Sequence, residues 1–188
     1  MPNRSENQSI FLGPSGNVRS FNESLSTFPY PGMVGQTMRI DDKWYQLVQF
    51  ATSTVQPIAG GMAYWLSQTL NLSQPAPYQV TMNPEFSVGG NVIYSNTPAG
   101  IIVGAPTAGN LGFIQKSGIT ICPVWSCSIV RQGDQAIAVS QGVANVTCGA
   151  FITAGLTPDV VRVGVFRTSA VATTAAAYLD LTLRNFEL

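Results

Sequence analysis

The feature that most constrains this chain is a hydrophobic period of two. In YLDLTLRN, Leu179, Leu181 and Leu183 alternate with Asp180, Thr182 and Arg184. Side chains on a strand point alternately to opposite faces, so this pattern builds a strand with one buried face and opposes a helix. WYQLVQF repeats the pattern, with Tyr45 and Leu47 facing one way and Trp44, Val48 and Phe50 the other. Met62, Tyr64 and Leu66 share a face in MAYWLS, as do Val161, Val163 and Val165 in VVRVGVFR. Eighteen glycines and twelve prolines punctuate these segments. Roughly ten short strands, with turns about every eight to twelve residues, indicate an all-β fold. The expectation is a small β-barrel or β-sandwich of short antiparallel strands.

Local signals place the connections. Asp41-Asp42 reads as a turn before the Trp44 strand, and Gly60-Gly61 as a bulge or tight bend. PAPYQVTM (75–82) reads as a strand on a sheet edge, because proline cannot donate to a ladder. Gly133-Asp134 reads as a hairpin turn. SAVATTAAAY (169–178) is rich in alanine, but its threonines and neighbouring strands favour an extended link over a short helix. YQLVQF before IAGGMAYW, and LGFIQK before RQGDQAIAV, form a faint internal echo whose spacing does not repeat.

Residues 1–35 differ from the rest. Ile10, Phe11, Leu12, Phe21, Phe28 and Tyr30 are separated by polar residues, glycine and proline. Such a segment builds no core of its own, so it reads as an extended N-terminal arm whose apolar residues dock elsewhere. The competing reading is a segment that packs on its own domain. The β-rich domain is then 36–188.

Composition narrows the chemistry. The chain has no histidine, which removes every triad and metal site built on imidazole. Nine basic residues balance nine acidic ones, and only 10% of the 188 residues are charged. That is well below the usual quarter or so. So sparse a charge suits a surface partly covered by other subunits, and it lacks the basic footprint of a nucleic-acid binder. MPNRSENQSI lacks the apolar stretch of a secretion signal, and no apolar run has the length of a membrane helix. Synthesis in a cytoplasm is expected, and matches such as Asn71-Leu72-Ser73 read as chance rather than glycosylation sites.

The residues capable of chemistry form no motif. Cys122 and Cys127 have the wrong spacing for a zinc knuckle or a redox pair, and Cys148 supplies no complete ligand set. Buried free thiols are the first reading and a structural disulfide the second. Asp41, Asp42, Glu85, Asp134 and Asp159 are scattered, mostly at turn signals. The glycines of SVGGNV and GAPTAGNLG lack the lysine and hydroxyl of a phosphate loop. Trp44, Trp65 and Trp125 lie in strand-like segments and read as core rather than as a sugar platform. No catalytic residue, metal site or cofactor is expected, and the chain reads as no enzyme.

Several stretches carry a resemblance: GQTMRIDDKWYQLVQF, GGMAYW, SVGGNVIYSNTPAGIIVGAPTAGNLGFIQKSGITIC and QGDQAIAV. Over roughly residues 35–185 they resemble the decoration (cement, or head-stabilising) proteins of tailed-bacteriophage capsids. The closest parallels are the glycine-bounded strands at 99–104 and 109–118. The resemblance implies a homotrimer on the outside of the mature capsid, partnered with the major capsid protein, with no nucleic acid, membrane or cofactor involved. Ile10, Phe11, Leu12, Phe21, Phe28 and Tyr30 are then the expected capsid contacts. The alternative is a tail-fibre, spike or glycan-binding β-module of a phage.

Overall fold

The computed structural model describes residues 21–52, 56–66, 78–82, 85–88, 91–94, 97–124, 129–138, 151–153, 162–170 and 176–182. The fold is all-β, and its centre is a closed five-stranded barrel. In chain order the strands are β1 (Glu23–Ser24), β2 (Thr37–Ile40), β3 (Lys43–Phe50), β4 (Met62–Trp65), β5 (Gln79–Thr81), β6 (Glu85–Val88) and β7 (Asn91–Tyr94). They continue as β8 (Pro98–Val103), β9 (Asn110–Pro123), β10 (Gln135–Ala138), β11 (Phe151–Thr153), β12 (Arg162–Phe166) and β13 (Ala176–Thr182). A single 3-10 turn, Pro31–Met33, precedes β2.

The barrel runs β3-β9-β8-β4-β5 through antiparallel pairs and closes by a parallel pairing of β5 with β3. β5 is therefore interior to the sheet, with Val80 opposite Trp65 on one side and Phe50 on the other. The sequence expected an edge there. Its prolines, Pro75 and Pro77, precede the strand, so the ladder of Gln79–Thr81 keeps all its N–H donors.

Each barrel strand is buried on both faces, and the period of two sorts its residues into separate cores. Val48, Phe50, Ala63, Trp65, Val80, Ile102 and Ile114 come from all five barrel strands and pack together, filling the lumen. Gly112 makes this possible, because a Cβ there would lie 2.8 Å from the Phe50 ring and 2.9 Å from Pro106. On the opposite face of β3 and β9, Leu47, Leu111 and Phe113 meet Phe21, Phe28 and Met33. Met62, Tyr64 and Ile101 on β4 and β8 join a third core with Cys122, Phe151, Val163, Phe166 and Leu179.

That third core exists because β9 is 14 residues long and joins two parts of one sheet. Its first half belongs to the barrel. Its second half pairs with β13, which continues into β12, β10 and β11. Between the halves lies a bulge. Tyr45 pairs with Gln115 and Trp44 with Ser117, so Lys116 is the extra residue of the bulge. Gly118 follows with φ +88°, a conformation glycine adopts without strain. The Gln115 side chain is buried, and its Nε2 donates to the carbonyls of Ser117 at 3.0 Å, Gly118 at 3.2 Å and Ile119 at 3.3 Å. One amide thus clamps the bend.

The expected turns are placed with one change. Ile40 pairs with Lys43, so Asp41-Asp42 is a two-residue turn, with Asp41 at φ 54°. Gly60 (φ 76°) begins β4 with a tight bend. At Gly133-Asp134 the chain does turn, held by Arg131 N–H to the Asp134 carboxylate at 2.9 Å. No hairpin follows, because Val130 pairs with Ala170 and Gln135 with Val165, so both flanks lie on the same partner segment. The end of the alanine-rich link is already strand, since β13 begins at Ala176; its centre, 171–175, lies outside the described residues.

Candidate interaction surfaces

Residues 21–35 pack against the barrel. β1 pairs with the start of β9, Glu23 opposite Leu111. Phe21 and Phe28 meet edge to face at 5.6 Å, and Phe21 lies 5.7 Å from the Phe113 ring. The Asn22 amide ties this segment to the 104–109 turn, accepting from Thr107 N–H at 2.9 Å and from Asn110 Nδ2 at 2.8 Å. Phe21 and Phe28 were read as anchors of the arm, with packing on their own domain as the competing reading. They are buried in the chain's own core, because the outer face of β3 and β9 presents Leu47, Leu111 and Phe113, which need cover. Tyr30 is exposed. Ile10, Phe11 and Leu12 lie outside the described residues.

The thiol and tryptophan expectations divide. Cys122 is a free, fully buried thiol. Burial pushes its pKa up to about 12 against a small lowering by its contact with the Ala177 carbonyl at 3.6 Å. A thiol held so firmly protonated is inert as a nucleophile or ligand. Cys127, Cys148 and Trp125 lie outside the described residues. Trp65 is buried in the lumen as expected. Trp44 is not core: 45% of it is exposed.

One end of the barrel is closed by Trp65, Tyr78 and Lys116. Tyr78 packs edge-on to Trp65 at 6.5 Å, and Lys116 Nζ sits 5.8 Å from the Trp65 ring centre. Gly35 lies beneath the Tyr78 ring so closely that a Cβ there would be 2.2 Å from it. Gln46 donates to the Gly35 carbonyl at 2.8 Å. Nearby, burial raises the Tyr45 pKa, reinforced by the carboxylates of Asp42 and Asp41.

The open feature is a sheet face. In an antiparallel ladder, paired residues point to the same side. Trp44 and Ser117 form one row across β3 and β9. Ile119, Asp180 and Val165 form the next, and Ile121 and Tyr178 the third. Ile119 is 41% exposed, Ile121 53% and Tyr178 49%. The opposite face of the same strands holds Cys122, Ala177 and Leu179 in the third core. Arg167 pairs with Asp180 at the border of the open face, Nε to Oδ2 at 3.1 Å.

The sequence concealed Trp44 and revealed Tyr178. Trp44 shares a strand face with Val48 and Phe50, as its spacing says, but it lies beyond the bulge where that face leaves the lumen. Tyr178 stands on the polar side of the Leu179–Leu181 alternation, which was a legible sign of an exposed aromatic. Among the described residues no three of the Cys, Asp and Glu side chains gather as a metal ion needs, and no helix is long and apolar enough to cross a membrane. Comparison with known proteins adds no relative, since no protein-family model and no curated protein matches this chain.

Proposed function

We propose that this chain is a structural virion protein that binds the outer surface of a mature phage capsid, as a homotrimer, and stabilises contacts between major capsid subunits. The observation that carries the reading is the exposed apolar sheet face of Trp44, Ile119, Ile121 and Tyr178 on a barrel whose lumen is filled. A filled barrel offers binding surface rather than a cavity. The motif resemblance supplies the capsid context, and the sparse, balanced charge suits a protein covered by neighbours. A protein that binds only the expanded lattice stabilises that lattice by mass action, and several arms acting together add avidity.

The buried Phe21 and Phe28 refine the arm. They fix its base on the barrel, so the capsid contacts of this reading are Ile10, Phe11, Leu12 and Tyr30. The test is binding of the full chain and of a chain lacking residues 1–20 to mature and to unexpanded heads. The deletion stops before Phe21, so the core stays intact. Saturable binding of the full chain to mature heads alone, lost on deletion, is expected. No binding of the full chain to either head form overturns the capsid reading. Full occupancy by the shortened chain removes the arm as anchor.

A further inference from the structure

We infer that copies of this chain meet one another through the open face of β9 and β13, with Ile121 and Tyr178 at the centre of the contact and Trp44 and Ile119 beside them. The inference rests on the proposal that copies associate, and it names the surface; it does not depend on the capsid.

Three observations select a second copy as the occupant. The first is area. Four side chains about half exposed contribute roughly 80–100 Å² each, or roughly 350 Å² per copy. Two such faces remove roughly 700 Å² from water, about half the total of a standard interface. Ser117, Val165 and Asp180 lie in the same rows and extend the contact toward that total. The second is charge. The face carries one ion pair, Arg167–Asp180, already closed on itself, so it offers no field to recruit an oppositely charged partner. The chain as a whole is neutral, so two copies approach without net repulsion. The third is position. The face lies on the middle strands of a sheet whose other side is the third core, so it is flat and rigid rather than a loop. A contact between faces leaves β1 and Tyr30, which sit on the other half of β9 and beside Phe28, outside the interface.

The experiment is sedimentation of the full chain, alone, across a range of concentrations. A protomer has a mass of 20.0 kDa. The parent chain is expected at a multiple of that mass. Ile121→Lys and, on a different strand, Trp44→Ser should each reduce it to monomer or weaken association at least tenfold. Tyr30→Ser should leave association unchanged. Near-ultraviolet circular dichroism checks that each variant keeps its packed core. A parent chain that stays monomeric overturns the inference. So does a parent oligomer that survives both substitutions with its fold intact. A dimer that dissolves on substitution keeps this face and removes the trimer. A parent that is monomeric and binds heads, with that binding lost on Ile121→Lys, assigns the face to the capsid instead, which overturns self-association and leaves the capsid reading standing.

Discussion

The bend in β9 rests on one amide, and two replacements of Gln115 test it. Its Nε2 has two hydrogens and three carbonyl acceptors within 3.3 Å, so one hydrogen is shared. The side chain is 4% exposed. Gln115→Met keeps the length and removes both donors. Each lost hydrogen bond costs about 1 kcal/mol net, so the change costs about 2 kcal/mol. For a chain of this size, that lowers Tm by roughly 4–8 °C. Gln115→Glu keeps the shape and inverts the chemistry. At neutral pH a carboxylate then faces carbonyl oxygens with little water, and the cost rises to about 3 kcal/mol or more.

The two variants separate by pH. Carbonyl neighbours and burial favour the protonated acid in the folded state, which raises its pKa above the value of about 4.3 it has in the unfolded chain. The folded state then holds more protons in the window above that value, so stability falls as pH rises through it. The Glu variant should gain on the Met variant as pH drops from neutral toward 5, since a protonated carboxyl donates one hydrogen bond back to the bend. Urea unfolding at several pH values reads the difference. Two variants that unfold at the parent's midpoint, or a Glu variant with no pH dependence beyond the parent's, would refute the clamp.

Three further outcomes follow from the packing. Phe21→Ala and Phe28→Ala should each cost about 3 kcal/mol by emptying the cluster around Phe113, measured by denaturant unfolding; no loss would mean that residues 21–35 do not pack as described. Cys122 should resist thiol reagents at pH 8 until the chain unfolds. Because its pKa is raised to about 12, the folded state keeps a proton that the unfolded chain releases above about pH 9, so stability falls as pH rises, by up to about 1.4 kcal/mol per unit. Cys122→Ala should flatten that slope, and an equal slope in both chains would contradict it. Gly112→Ala forces a methyl into the Phe50 ring and should cost about 1–3 kcal/mol. Phe50→Leu in the same chain should recover part of that loss, and strict additivity of the two changes would show that the contact is not what limits position 112.

The strands were legible because their alternation is a local property. Tyr45 to Phe50, Met62 to Trp65 and Ala177 to Asp180 carry their faces in their own spacing. What period two does not carry is which face meets what. Leu47 and Val48 are both fully buried, one under Phe21 and Phe28 and the other in the lumen, and nothing within WYQLVQF distinguishes these covers. The parallel closure of β5 onto β3 was equally hidden, since the partner lies about 30 residues away and the local signal, two prolines, pointed to an edge. At Phe21 and Phe28 the choice between the two readings of the arm was open for the same reason. A proline-broken segment has no core of its own, but its rings found one on β9.

The bulge at Lys116 accounts for the exposed apolar face. A straight β9 would keep Ile119 and Ile121 on the side of Leu111 and Phe113, beneath the N-terminal segment. One extra residue turns everything after it to the other face. Thr120 and Cys122 then continue the outer surface of the barrel, where Ile101 and Met62 are covered by the part of the sheet that β13 continues. Ile119 and Ile121 continue the lumen side past the end of the barrel, where no lumen remains to bury them. Trp44 is carried outward by the same geometry. The exposed apolar face is therefore the other side of the switch that builds the third core, and Gln115, Gly118 and the interaction surface depend on one another. A chain that used only the barrel would need neither the bulge nor the second half of β9.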